Sequence, residues 1–361
     1  MAGLNAIVLA AGEGTRMRSQ RPKPLHHLCG RPMVLHVIDA VGRLQVDRVV
    51  VVVGHEAEWV IKSLTERAPE GLPIEFVEQL EQLGTGHAVS VGLASFEVPD
   101  DDEDDVLIVP GDAPLVRTEV LAELVTAHVD GGHALTVLTT RLADPTGYGR
   151  VVHGRDGAVA RIVEELDASA EERAIDEVNT SIFVVKMALL GPALRRVDRT
   201  NSQSEYYLTD IVSVLYNTGH VARSVLTEDA AAVAGVNDRV QLAAAEAELR
   251  RRINERWMRR GVTMWDPAST YVDADVELAE DVSLLPGTVI KGTCRIGEGA
   301  QIGPNALLVD VAVGARAQLG TVHATGASIG EDAEVGSFSI LGPGTVVASG
   351  TRVGPHSTLG L

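Results

Sequence analysis

The sequence predicts an α/β, Rossmann-like domain over the first two-thirds of the chain and a parallel β-helix over the rest. Three observations predict this pair. Apolar runs of strand length alternate with amphipathic stretches as far as residue 238. One early apolar run ends in a glycine loop at Leu9–Lys23, where an α/β sheet binds its ligands. Beyond residue 261, apolar residues recur every sixth position. At 361 residues the chain exceeds what one hydrophobic core usually serves, so two domains are expected. Aromatic residues make up only 3% while glycines number 36, which sets part of the chain apart from an ordinary globule.

In order, the apolar runs Ala6–Ala11, Val49–Val53, Ile74–Val77, Val106–Val109, Ala134–Leu138 and Ile182–Val185 read as buried strands. The amphipathic stretches Met33–Leu44, Ala57–Arg67 and Glu119–His128 read as helices between them, giving a doubly wound sheet. After the first strand come Gly12 and Gly14, then Arg16 and Lys23. Glycines let backbone N–H groups approach phosphate oxygens, and the two cations would neutralise them. A tight turn without a ligand also fits the glycines alone. Neither familiar phosphate loop is present: Met17 stands where the dinucleotide pattern needs a third glycine, and Gly14-Thr15-Arg16 does not match Gly-Lys-Ser/Thr.

The formal net charge of −19 argues against nucleic-acid or anionic-membrane partners but leaves room for a local cationic pocket. Cys29 and Cys294 are too few and too far apart for a disulfide framework or a Cys-rich zinc site. No signal segment or membrane-length apolar run is present, so a cytoplasmic location is expected. His26, His27, His55, His87 and His128 form no zinc spacing and are read as structural or surface residues. The run Asp100–Asp105 lacks the glycine spacing of a calcium loop and is read as a solvated turn.

Taken together, the strand, Gly12, Gly14, Thr15-Arg16 and Pro22-Lys23 resemble the signature of the sugar-phosphate nucleotidyltransferases. The resemblance implies that Leu9, Ala10, Ala11, Gly12 and Gly14 wrap a nucleoside triphosphate, with Arg16 and Lys23 on its phosphates. It continues down the chain. Gln79 with Gly84-Thr85 resembles the segment that reads the base; an amide can both give and take a hydrogen bond, as an imide edge requires. Gly111-Asp112 resembles the element that holds Mg2+, with Asn237 of Gly235-Val-Asn-Asp-Arg239 completing the metal site. Gly149 of Gly147-Tyr-Gly-Arg150, Glu164, and Asn179 of Glu177-Val-Asn-Thr-Ser181 would hold the sugar. Leu166 departs from a lysine common in relatives, and Ser181 from a glycine. Asn201-Ser-Gln-Ser-Glu-Tyr-Tyr-Leu-Thr-Asp210 resembles the branch that makes UDP-N-acetylglucosamine, a peptidoglycan precursor. The substrates implied are UTP and N-acetylglucosamine 1-phosphate. Another nucleotide or sugar phosphate, a truncated bifunctional enzyme, or a non-catalytic sugar-nucleotide-binding scaffold are the alternatives.

From Arg239 the spacing of Val240, Leu242, Ala245, Leu249, Ile253 and Trp257 predicts a linker helix to Gly261, with arginines at its C-terminal end. The expected domains are thus 1–238, the linker 239–261, and an incomplete hexapeptide-repeat domain over 262–361. Ile296, Ile302 and Leu308 are six apart, as are Ile329, Val335, Leu341, Val347, Val353 and Leu359, giving four to five turns after Val276. Nearly the whole chain resembles the family of bifunctional N-acetylglucosamine-1-phosphate uridylyltransferase/glucosamine-1-phosphate acetyltransferases, which implies a left-handed β-helix and a homotrimer. Leu341-Gly-Pro-Gly344 lacks the arginine of the family's Leu-Arg-Pro-Gly turn, and Val353–Gly360 lacks the next segment's lysine. Acetyltransferase activity is therefore not expected.

Overall fold

The structure, a computed structural model, describes residues 3–69, 71–96 and 104–360. Its internal contacts divide it into two compact units. One runs to His26 and resumes over Pro32–Gln241; the other joins His27–Arg31 to the chain from Leu242 onward. Among the described residues, no helix is long and apolar enough to cross a membrane.

The strands begin with β1 (Leu4–Ala10), and two short ones, β2 (His27–Leu28) and β3 (Arg31–Pro32), flank a turn at Cys29-Gly30. Next come β4 (Arg48–Val53), β5 (Ile74–Glu78), β6 (Asp105–Pro110) and β7 (Leu135–Arg141). The first unit ends with β8 (Arg150–His153), β9 (Val159–Val163), β10 (Glu177–Lys186) and β11 (Ala222–Thr227). They form a sheet in the order β11-β7-β10-β6-β1-β4-β5, with β8 paired to β9 and β10.

The helices are α1 (Met33–Gly42), α2 (Ala57–Thr65), α3 (Thr85–Leu93), α4 (Thr118–Gly131), α5 (Ala170–Arg173), α6 (Met187–Leu194) and α7 (Asp210–Asn217). They cover both faces of the sheet, which is why the strands are continuously apolar. On β1, Ala6, Val8 and Ala10 join a core with Val34 and Ile38 of α1 and Leu121 of α4. Ile7 faces the opposite core, with Val89 of α3, Leu190 of α6 and Ile211 of α7.

The doubly wound sheet is mixed rather than all parallel. β10 runs antiparallel to both β6 and β7. A parallel neighbour needs a crossover, usually a full helix. Here β10 is reached from the β8–β9 hairpin with only the four-residue α5 between. The acidic run departs from expectation where it is described. Asp105 is buried, 2% exposed, and accepts hydrogen bonds from Lys186 Nζ (2.8 Å) and His128 Nε2 (3.1 Å). Residues 100–103 lie outside the described residues.

The second unit contains most of α8 (Arg239–Met258) and a three-faced parallel β-helix from Thr263–Met264 to Thr358–Leu359. Each inward residue stacks on its counterpart one coil on, as Leu284 on Ile302 and Ile302 on Leu319. The β-helix starts before Val276, since Thr263–Met264 already pairs with Ser283–Leu284. The sixfold pattern lapses between Leu308 and Ile329 because that stretch uses shorter faces. The inward residues there are Val313, Leu319 and Ala324, spaced at five or six.

Candidate active site

A cavity of about 670 Å³ opens at the carboxyl ends of β1 and β6 in the first unit. These strands are adjacent and parallel, with Leu9 beside Pro110 in register. The Gly111 N–H donates to the Leu9 carbonyl at 2.8 Å, so Asp112 emerges beside the glycine loop. The Val236 N–H donates to the Asp112 carbonyl at 2.8 Å and brings the 235–237 loop alongside.

Lys23 joins the three segments. Its Nζ donates to Asp112 Oδ2 and, at 2.8 Å, to Asn237 Oδ1. Gly14 makes this reach feasible: its φ is +65°, and a Cβ there would come within 2.6 Å of Lys23 Cβ. Both oxygens face one cation, and oxygen donors in ones and twos, completed by phosphate and water, suit a hard divalent ion. Among the described residues, no cluster of three or more His, Cys, Asp and Glu side chains is arranged to hold a metal. The donor set thus fits magnesium and does not resemble a zinc site. Within the lining, Lys23 stands against four carboxylates: Glu13, Asp112, Glu164 and Glu205. A polyphosphate entering such a cavity needs a cation with it.

Every substrate-binding residue expected from the sequence lines this cavity: Leu9, Ala10, Ala11, Gly12, Gly14, Lys23, Gln79, Gly84, Thr85, Gly111, Asp112, Gly149, Glu164, Asn179 and Asn237. Arg16 does not. It sits exposed on the 3-10 turn Thr15–Met17, outside the lining. Leu166 is 61% exposed and is likewise absent from the lining.

The region expected for the sugar is tied together by main-chain bonds. The Asn179 N–H donates to Gly149 O at 2.9 Å, and Asn179 Oδ1 accepts from the Ser181 N–H at 2.9 Å. Glu164 Oε1 accepts from Thr209 Oγ1 at 3.0 Å. Burial, with help from the charges of Asp210 and Asp167, pushes the Glu164 carboxyl up against the lowering effect of that bond. Asp210 itself is pushed up to about 6 by burial and by Asp198 and Asp167.

Beside the expected base contacts, Asn201–Asp210 acts as a clamp. The Tyr206 N–H donates to Leu83 O (2.8 Å), the Gly86 N–H to Tyr206 O (2.7 Å), and the Leu208 N–H to Thr85 Oγ1 (3.0 Å). The α3 N-cap is Gly84, at φ +111°, where a Cβ would meet Tyr206 O at 2.6 Å. Sequence reasoning gave no site role to Tyr148, Gln82 and Glu205, which also line the cavity. Tyr148 lies within the turn Gly147–Arg150, and Asp112 adds to burial in raising its phenol. That turn was the available signal for it; Gln82 had none.

A glycine loop after a central strand, facing a carboxylate and a lysine, is the site of a nucleotidyltransferase class. Residues 6–181 match the MobA-like NTP transferase domain. The chain is 45% identical to the bifunctional protein GlmU of Mycolicibacterium vanbaalenii over 349 residues, 96% of this chain and 70% of that protein. It is 44% identical to that of Streptomyces avermitilis, covering 97% and 72%, and 46% identical to that of Kineococcus radiotolerans, covering 96% and 70%. The chain belongs to the GlmU family.

Proposed function

We propose that the chain transfers a uridylyl group from UTP to N-acetyl-α-D-glucosamine 1-phosphate, releasing pyrophosphate and UDP-N-acetylglucosamine. The observation that carries this reading is the meeting of Lys23, Asp112 and Asn237 at the glycine loop. A phosphate oxygen of the sugar phosphate attacks the α-phosphorus of UTP, a new P–O bond forms, and the bond to pyrophosphate breaks. The nucleophile is already an anion, so no side chain need take a proton. The protein's work is positioning and charge neutralisation.

Main-chain N–H groups of Gly12 and Gly14 approach the triphosphate, and Lys23 offsets charge building on the transferred group and pyrophosphate. Asp112 and Asn237 would hold Mg2+, which when bound polarises phosphate oxygens. Gln79, Gly84 and Thr85 read uracil; Gly149, Glu164 and Asn179 take the sugar. Acetyl transfer is left out of this reading, because glycine replaces arginine in Leu341-Gly342-Pro343-Gly344. Magnesium-dependent pyrophosphate release tests it, screened over UTP, dTTP, CTP and GTP with several sugar 1-phosphates. UTP with N-acetylglucosamine 1-phosphate should turn over fastest. Binding without turnover would instead favour a scaffold.

A homotrimer through the β-helix has support in its surface chemistry. One face presents the outward column Tyr271, Val289, Leu307, His323, Ile340, Thr358. Another presents Thr263, Ser283, Gln301, Gln318, Glu334, Arg352. The first is the apolar one and suits self-association. Sedimentation should give three chains for the native protein and a smaller species for Ile340→Asp. A native monomer would overturn this assignment.

A further inference from the structure

We propose that His87 decides which pyrimidine the site accepts, by holding the Gln79 carboxamide so that its oxygen alone faces the bound base. The inference rests on the reading of Gln79, Gly84 and Thr85 as base contacts. Gln79 follows β5, is 3% exposed, and is fixed at its main chain by a 2.7 Å bond from its N–H to Val53 O. Its Nε2 donates to two acceptors: the Gly84 carbonyl at 3.2 Å and His87 Nδ1 at 2.9 Å. A carboxamide has two N–H hydrogens, and both are spent here. Its Oε1 has no partner among the described residues, and Gln79 lines the cavity.

Turning the amide over would bring Oε1 against the Gly84 carbonyl, and would keep the bond to His87 only in the tautomer with its hydrogen on Nδ1. The amide is thereby committed as an acceptor, although a free amide could both give and take. For His87 to accept, Nδ1 must be unprotonated, with the ring hydrogen on Nε2. Uracil and thymine carry a hydrogen on N3, and cytosine carries a lone pair there. Oε1 therefore bonds the first two and meets the third acceptor to acceptor. The N–H groups of Gly84 and Thr85 make no bond among the described residues and can donate to a ring carbonyl. Donors for the carbonyl and an acceptor for N3 together describe an imide edge. His87 acts through Gln79 and is a positioning residue; its place two residues into α3 gives a sequence reader no sign of this.

The test is the ratio of kcat/KM for UTP to that for CTP, measured by pyrophosphate release with N-acetylglucosamine 1-phosphate. Wild type should favour UTP. His87→Leu should lower the ratio roughly tenfold, about one hydrogen bond's worth. The loss should fall on KM for UTP, with KM for the sugar phosphate unmoved. His87→Asn, which puts an acceptor oxygen near the place of Nδ1, should restore the ratio. If His87→Leu does not fold, His87→Ala set against His87→Asn makes the same comparison. A ratio unchanged in the apolar variant, while Gln79→Leu lowers it, overturns the role of His87 alone. A ratio unchanged in Gln79→Leu overturns the base reading on which it rests.

Discussion

Asp112→Ala should lower kcat by about a thousandfold or more while the thermal midpoint moves only a few degrees. Asp112 stands just past β6, and its carboxylate meets Lys23 rather than a packed core. The pair is near the cavity surface, with side-chain exposures of 13% for Lys23 and 27% for Asp112. Such a pair contributes on the order of 1 kcal/mol or less to folding. Its chemical value is larger, because Asp112 and Asn237 are the oxygens that would hold the magnesium ion beside the phosphates. Lys23→Ala should show the same split between activity and stability, since its ammonium reaches both oxygens. Initial rates at saturating UTP, set beside calorimetric melts, measure both quantities. Near-normal turnover in both variants would sink the site assignment.

The parts of this site that sequence could reveal are those with strong local chemistry. β1 was legible because a strand covered on both faces must be apolar throughout, and its glycines mark where the backbone turns. The convergence of Lys23 with Asp112 and Asn237 spans separations of 89 and 214 residues. Residue spacing cannot encode that meeting, and only the family resemblance brought the three together. The direction of β10 was hidden for a related reason. An antiparallel and a parallel strand buried on both faces have the same apolar composition, and the difference lies in the connection. In the β-helix, hexads announced themselves wherever faces were six residues long. The shortened faces through Val313 and Ala324 broke the period without breaking the stack. The Thr85 hydroxyl is taken by the Leu208 N–H from a segment 123 residues away, a pairing that local spacing does not encode either. Arg16 looked like Lys23 in sequence, yet only the lysine turns into the cavity.

Asp105→Ala should do the opposite of Asp112→Ala, costing about 3–5 kcal/mol of stability while the remaining folded protein keeps its turnover. Both residues belong to the same segment: Asp105 opens β6 and Asp112 follows its end. Asp105 is almost fully buried between His128, which is wholly buried and also bonded to Thr136 Oγ1 at 2.9 Å, and the Lys186 ammonium. Removing the carboxylate leaves Lys186 and His128 without their shared acceptor. Burial alone would push the Asp105 carboxyl up, but hydrogen bonds from His128 and Lys186, with their charges, outweigh it and hold it below the usual carboxylate range. A carboxyl depressed in the folded state binds fewer protons there than in the unfolded chain. Its contribution is therefore present above the ordinary aspartate value and is lost as pH falls through the folded one. The gap between wild type and Asp105→Ala should be widest near neutrality and narrow progressively below about pH 5. Urea unfolding from pH 7 to pH 4, with activity assayed well below the variant's midpoint, measures both effects. A variant as stable as wild type at pH 7 would show that the network contributes no net stability. A variant that is stable but inactive would place Asp105 in the chemistry instead.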